Sequence, residues 1–284
     1  MSRQRRMVPQ GRLVPTGASW ATVPASTRGA ALLILVLASP TSAQDFDLPA
    51  PAWPTDAVAG WFERALPPAV DAAVVEAGVT RWHGLDQLAT RAIAAGAGWR
   101  ALRAGLGLSQ TGEPDVGWTA LGGVAGAVVP RGGASVRAVS RRDRTSPFGF
   151  DAQGAAVGVE VGGGAWIEAA QGVHVWASAV QVWTRGAAPP LTRPLEIGGA
   201  ADLGGVTLWL SRSGVTGAAR GGRAAGLATA VGPLEVWLLA RDQPLRGGLG
   251  VAARTRGLRV AAQIESHPVL RETARLALGA GGGR

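Results

Sequence analysis

From Arg246 to Ala280 the chain alternates apolar and polar residues with a period of two. Leu249, Val251, Ala253 and Thr255 fall on one face, and Gly250, Ala252, Arg254 and Arg256 on the other. After Gly257, Leu258, Val260, Ala262 and Ile264 alternate with Arg259, Ala261, Gln263 and Glu265. That period predicts strands with one apolar and one polar face. A helix would scatter Arg254, Arg256 and Arg259 around its circumference. Ser266-His267-Pro268 interrupts the ladder, because proline has no N–H to donate, and Arg271 to Ala280 resumes it. The stretch reads as a meander of three antiparallel strands.

The same design recurs upstream. Strands are expected at Val74–Trp82, Trp99–Ser109, Trp118–Val129, Ala134–Arg142, Ala155–Val161, Ala165–Ala170, Val173–Trp183, Pro194–Leu203, Val206–Ser213, Arg223–Val231 and Leu234–Arg241. Leu85–Ala95 fits either a helix or a strand. Gly162-Gly163-Gly164, Gln171-Gly172, Gly204-Gly205, Gly232-Pro233 and Gly257 supply tight turns. Longer loops alternate with them at Gln110–Gly117, Asp143–Gly154, Thr184–Arg193, Gly214–Gly222 and Asp242–Gly247. Short turns at one end and long loops at the other are the habit of outer-membrane barrels. A wall of this many strands should close, because open edges invite aggregation. The expected fold is all-β: an antiparallel up-and-down transmembrane β-barrel of about 10–14 strands over residues 73–284, with a short N-terminal helical segment. Tryptophans near strand ends, Trp99, Trp118, Trp176 and Trp183, are candidates for the interfacial aromatic belt.

Composition adds to this picture. Glycine and alanine abound, whereas phenylalanine and methionine are scarce. A thin wall suits that balance better than a thick core, although a GC-rich genome would enrich the same residues. There is no cysteine, which excludes disulfides and thiolate metal sites. Every basic side-chain charge is arginine, and the formal net charge is +9. Five arginines (Arg3, Arg5, Arg6, Arg12, Arg28) precede Gln44 with no acid among them, so the remainder is much closer to neutral. No patch interleaves aromatic and basic residues, and nucleic-acid binding is set aside.

The N-terminal region reads as an export signal. Ala30–Ala38 is a short apolar run behind arginines, and Thr41 and Ala43 fit a signal-peptidase site. Residues 1–43 are the expected signal peptide. Residues 44–72 are expected to form a proline-rich tether, from Asp45 to Pro54, followed by a short helix. That helix, Ala57–Leu66, is capped by Thr55-Asp56 and stopped by Pro67-Pro68.

The closing meander carries a resemblance. Gly257-Leu258 opening a strand, and Ser266-His267-Pro268-Val269-Leu270 before Glu272-Thr273-Ala274-Arg275, resemble the closing strands of bacterial outer-membrane barrels. Arg193-Pro194-Leu195-Glu196-Ile197-Gly198-Gly199 and Gly105-Leu106-Gly107-Leu108-Ser109-Gln110-Thr111-Gly112 resemble their strand starts and hairpins. The kin are long-chain fatty-acid transporter-like barrels and the outer-membrane barrels of type IX secretion, over residues 74–280. The resemblance implies outer-membrane residence and brings no catalytic residue.

Candidate chemistry is sparse. His83, His174 and His267 stand in no metal-ligand spacing, and no nucleophile elbow or P-loop occurs. Neither an enzyme nor a cofactor is expected. On the polar strand faces, Arg137, Arg141, Arg254, Arg256, Arg259, Arg271 and Arg275 are lumen-lining candidates. An arginine-lined lumen favours anions. Glu160, Glu168, Glu235 and Glu265 occupy similar positions, and the bland reading is mutual neutralisation. The expected function is passive uptake of a small hydrophobic or anionic solute, or a structural part in an envelope or secretion complex. The expected partners are outer-membrane lipid and envelope or secretion proteins, with the chain a monomer. The alternative is a soluble periplasmic or secreted β-protein that binds a ligand or surface. Leu258, Val260 and Ile264 separate the two, because they face outward only in the first.

Overall fold

The computed structural model describes residues 46, 48–51, 53, 58–67, 73–113, 116–145, 156–186, 195–214, 222–242 and 245–281. The expected export segment and the Thr55-Asp56 cap lie outside these residues. Among the described residues one α-helix, α1, spans Val58–Arg64. Fourteen strands follow among the described residues. They are β1 Val74–Arg81, β2 Thr90–Trp99, β3 Leu102–Gly112, β4 Val116–Val129, β5 Gly132–Thr145, β6 Ala156–Ala170 and β7 Val173–Gly186. The second half comprises β8 Leu195–Asp202, β9 Val206–Gly214, β10 Arg223–Val231, β11 Leu234–Arg241, β12 Arg246–Thr255, β13 Leu258–Glu265 and β14 Thr273–Gly281. Each strand pairs with its sequence neighbours. β1 also pairs antiparallel with β14, from Val74↔Gly281 to Arg81↔Ala274, so the sheet closes into an all-antiparallel barrel. Closure leaves no unpaired edge.

Side chains alternate across this wall. In β14, Thr273, Arg275, Ala277 and Gly279 are buried, whereas Leu276 and Leu278 stand out. Leu258, Val260 and Ile264 are each 49% exposed on the outer surface. The barrel therefore presents its apolar face outward and its polar face inward. This is the arrangement of a lipid-embedded barrel and the reverse of a soluble sandwich. Short turns gather at one end. Arg256 and Gly257, with φ of +45° and +80°, make the tight β12–β13 connection.

Three local expectations change. The Gly162-Gly163-Gly164 run is not a turn: β6 passes through it, with a register shift against β7 beside Gly163. A Cβ on Gly164 would lie 2.7 Å from the Ala65 carbonyl oxygen. Gly164 admits another segment of chain rather than a bend. Trp99–Ser109 is divided by Arg100, whose φ of +53° turns the chain from β2 into β3. Leu85–Ala95 becomes a 3-10 turn at Asp86–Leu88 and then β2. Its helix-favouring composition yields to pairing with strands on both sides.

The described part of the proline-rich stretch and the helix after it face inward. Phe46, Leu48, Val58, Trp61, Phe62 and Leu66 are almost fully buried. They lie inside the barrel because so many large apolar side chains within twenty-odd residues would be costly to leave in water. Two clusters result. One joins Phe46, Leu48, Val58, Trp61 and Phe62 to Ala92, Ala94, Ala120, Val124, Val139 and Ala277. The other joins Trp53 and Leu66 to Trp166, Trp176, Trp209 and Trp237.

Candidate functional site: a lumen filled from within

The described residues of the N-terminal segment pack against the inner wall. The barrel wall satisfies its backbone carbonyls. Arg137 Nη1 donates to Phe62 O at 2.6 Å, Trp166 Nε1 to Pro67 O at 3.1 Å and Arg259 Nη2 to Pro49 O at 3.2 Å. Ser135 Oγ donates to Ala65 O. Arg64, at the end of α1, reaches Glu196 of β8 at 3.6 Å. The rings dock on glycines. The Trp61 ring lies 3.3–3.4 Å from where a Cβ would stand on Gly96 or Gly105, and the Phe62 ring 3.0–3.2 Å from one on Gly107 or Gly122. Phe46 stacks on Phe62 with centroids 4.5 Å apart, and Trp53 on Trp176 at 5.3 Å.

A second filling comes from the wall itself. Trp176, Trp209 and Trp237 face inward, and each pairs in register with a glycine on the next strand: Gly198, Gly226 and Gly250. A Cβ on any of these glycines would fall within the indole, well short of 3.0 Å. The indoles lie flat across the neighbouring strand because the glycines leave room, an aromatic covering of weak strand positions.

The lumen charges are paired. Arg137 bonds Glu160, which also accepts from Gln181 Nε2 at 3.2 Å. Arg259 meets Glu76 at 2.9 Å and lies 3.9 Å from Glu235, which Arg254 approaches at 3.8 Å. Toward the long-loop end several arginines converge. One carboxylate, Glu265, faces Arg275 at 3.1 Å, Arg241 at 3.7 Å and Arg246 at 3.8 Å.

The sequence candidates separate accordingly. Arg137, Arg141 and Arg275 are buried on the inner face, and Arg254 and Arg259 are half-buried there. Arg256 is exposed in the β12–β13 turn, and Arg271 is exposed in the loop before β14. Among the tryptophans, Trp99 and Trp183 stand on the outer surface, 67% and 50% exposed. Trp118 is half-buried at an inward position of β4, opposite buried Thr111. Trp176 is buried in the lumen against Trp53, so it does not join an outer belt. The plug rings, the Trp–Gly pairs and Glu76 were not foreseen. The phase of Trp237 between Val236 and Leu238 was a usable signal, since those two neighbours belong to the apolar face. His83 and His267 meet edge to face with centroids 5.0 Å apart, and among the described residues no group of three or more metal-binding side chains occurs.

No protein-family model matches the chain, and no curated protein matches it. Among solved structures, a triple mutant of Rhodopseudomonas blastica porin aligns over 74% of this chain and 99% of that chain, with a TM-score of 0.40 and 11% identity. Another mutant of the Rh. blastica porin aligns with the same coverage and TM-score at 10% identity. These scores are too low to carry an argument about this chain.

Proposed function

We propose that this chain is an outer-membrane barrel, exported by its N-terminal segment, whose lumen is gated by residues 46–67. Small anionic solutes pass when that segment leaves its seat. The observation that carries this reading is the segment itself. It occupies the lumen, yet wall side chains grip it through a handful of hydrogen bonds to its backbone. Arg241, Arg246 and Arg275 converge on Glu265 at the long-loop end, and an arginine-rich mouth favours anions over hydrophobic solutes. A second reading, a closed structural barrel of an envelope complex, draws on the close packing of the segment and the pairing of the deeper charges. Closure of the sheet leaves no edge for strand pairing with a second copy, and both readings take the chain as a monomer.

Planar-bilayer conductance separates the two. The full chain, recovered from outer membranes and shown to shift in gel mobility on boiling, is compared with Trp61→Ala/Phe62→Ala. Gating predicts rare openings in the native chain and frequent, anion-selective openings in the variant. A folded variant as silent as the native chain refutes gating and leaves the structural reading.

A further inference from the structure

We infer that the outer wall over β1–β6 binds a lipid bearing two phosphates and several acyl chains. This rests on the outer-membrane reading and extends it to a specific leaflet component. The outer surface is uneven. Over β11–β14 it carries Leu238, Leu249, Leu258, Val260, Leu276 and Leu278, all exposed. Over β1–β6 exposed Ile93, Leu106, Leu108, Leu121 and Val136 are interspersed with outward Ala95, Ala104, Gly123, Ala125 and Ala138, and an apolar groove of about 790 Å³ opens between them, lined by Val75, Ala95, Ala104, Leu106, Ala125 and Val136 among others. Those six residues are exposed and belong to the outward row of the wall, so the groove opens on the lipid side, with the inward-facing Val124 and Arg137 also bordering it.

Above the groove, toward the long-loop end, the same strands carry an outward polar row. Arg91, Gln110, Thr119 and Arg142 are neighbours in register across β2, β3, β4 and β5. Arg91 and Arg142 are exposed and make no ion pair among the described residues. Three strand spacings separate them by about 14 Å. From Arg91 to Ala95, at the upper edge of the groove, is four residues, or about 13 Å of strand. Two arginines at that separation suit two phosphates of one head group, with Gln110 and Thr119 able to bond between them. The groove spans six strands, so roughly 24 Å of wall is open to acyl chains, which is wide for a lipid with two. The long-loop end is the outer face of such barrels, so the lipid belongs to the outer leaflet. A second copy of this chain fits poorly. A two-fold contact through this face would oppose the arginine rows of both copies.

The test uses the full chain, purified from outer membranes in mild detergent, delipidated, and incubated in turn with diphosphoryl hexa-acyl lipid A, its dephosphorylated form, phosphatidylglycerol and phosphatidylcholine. Native mass spectrometry reads the lipid retained. Diphosphoryl lipid A should exceed phosphatidylglycerol by about tenfold, and Arg91→Gln/Arg142→Gln should lose that margin. Gly123→Leu fills the groove without strain, since a Cβ there meets only Leu106 at 3.7 Å, and should weaken retention of every acyl lipid. Arg212→Gln, on the opposite wall, should change nothing. Equal retention of phosphatidylglycerol, native retention by the double variant, or a dimer in place of bound lipid overturns the inference. Recovery of the chain in the soluble periplasm instead overturns the membrane reading itself.

Discussion

Gly250→Ala puts a methyl group where the Trp237 indole lies. Trp237 is fully buried, and its Nε1 donates to Gln263 Oε1 at 3.0 Å. The ring must tilt or the strands must part. Overpacking of this kind costs about 1–3 kcal/mol. Breaking the indole bond leaves two buried polar groups unpaired, at about 1–3 kcal/mol more. The variant should therefore lose about 2–6 kcal/mol. The decisive measurement is a double-mutant cycle, read by urea unfolding of barrels refolded into vesicles. Trp237→Ala alone should cost about 3–5 kcal/mol. In that background the indole is gone, and Gly250→Ala should cost less than about 0.5 kcal/mol. Additive losses would falsify the claim that the glycine exists to seat the indole. A neutral Gly250→Ala would do the same.

Two further outcomes are expected. Arg137→Ala strands buried Glu160 and frees the Phe62 carbonyl, so it should cost about 3–5 kcal/mol in the same unfolding assay. It should also raise opening frequency in bilayers, whereas a variant as stable and as quiet as the native chain would refute the docking role. His267 Nδ1 accepts backbone N–H bonds from Val269 at 3.2 Å and Leu270 at 2.9 Å, which only the neutral ring can do. Desolvation, then the charges of Arg246 and His83, hold its pKa below the ordinary imidazole value. A lowered pKa means that the loop's order is complete above the ordinary value and is lost as pH falls from there through the folded value. Amide exchange at Val269 and Leu270 should quicken over that interval, and exchange that ignores pH would sink the assignment.

The strands were legible because a lipid-facing barrel imposes one strict rule, apolar out and polar in, on every residue of the wall. Leu258, Val260 and Ile264 announce their face by spacing alone. Gly162-Gly163-Gly164 looks like a turn, but Gly164 serves a contact, the Ala65 and Arg64 carbonyls, that comes from about a hundred residues away. No local pattern encodes such a contact. The lumen arginines could be assigned to a face but not to partners. Arg259 and Glu76 are joined only when β14 closes on β1. The plug was hidden for a similar reason. Pro49, Pro51 and Pro54 read as extended chain, and the apolar residues among them are too irregularly spaced to mark a face. Trp176 was misplaced because nearness to a strand end fits a belt tryptophan as well as a lumen one.

Glycine in this barrel has a division of labour that composition alone conceals. On β2–β4, Gly96, Gly105, Gly107 and Gly122 receive Trp61 and Phe62 from the N-terminal segment. On β8, β10 and β12, Gly198, Gly226 and Gly250 receive indoles from the adjacent strands. The first set receives a separate segment of chain, which the gating proposal makes removable, and the second receives side chains of the wall itself. Departure of residues 46–67 would empty the β2–β4 side and leave the Trp209 and Trp237 pairs in place. The opened path would therefore run along the glycine face of β2–β4, which is the inner side of the wall whose outer side carries the lipid groove.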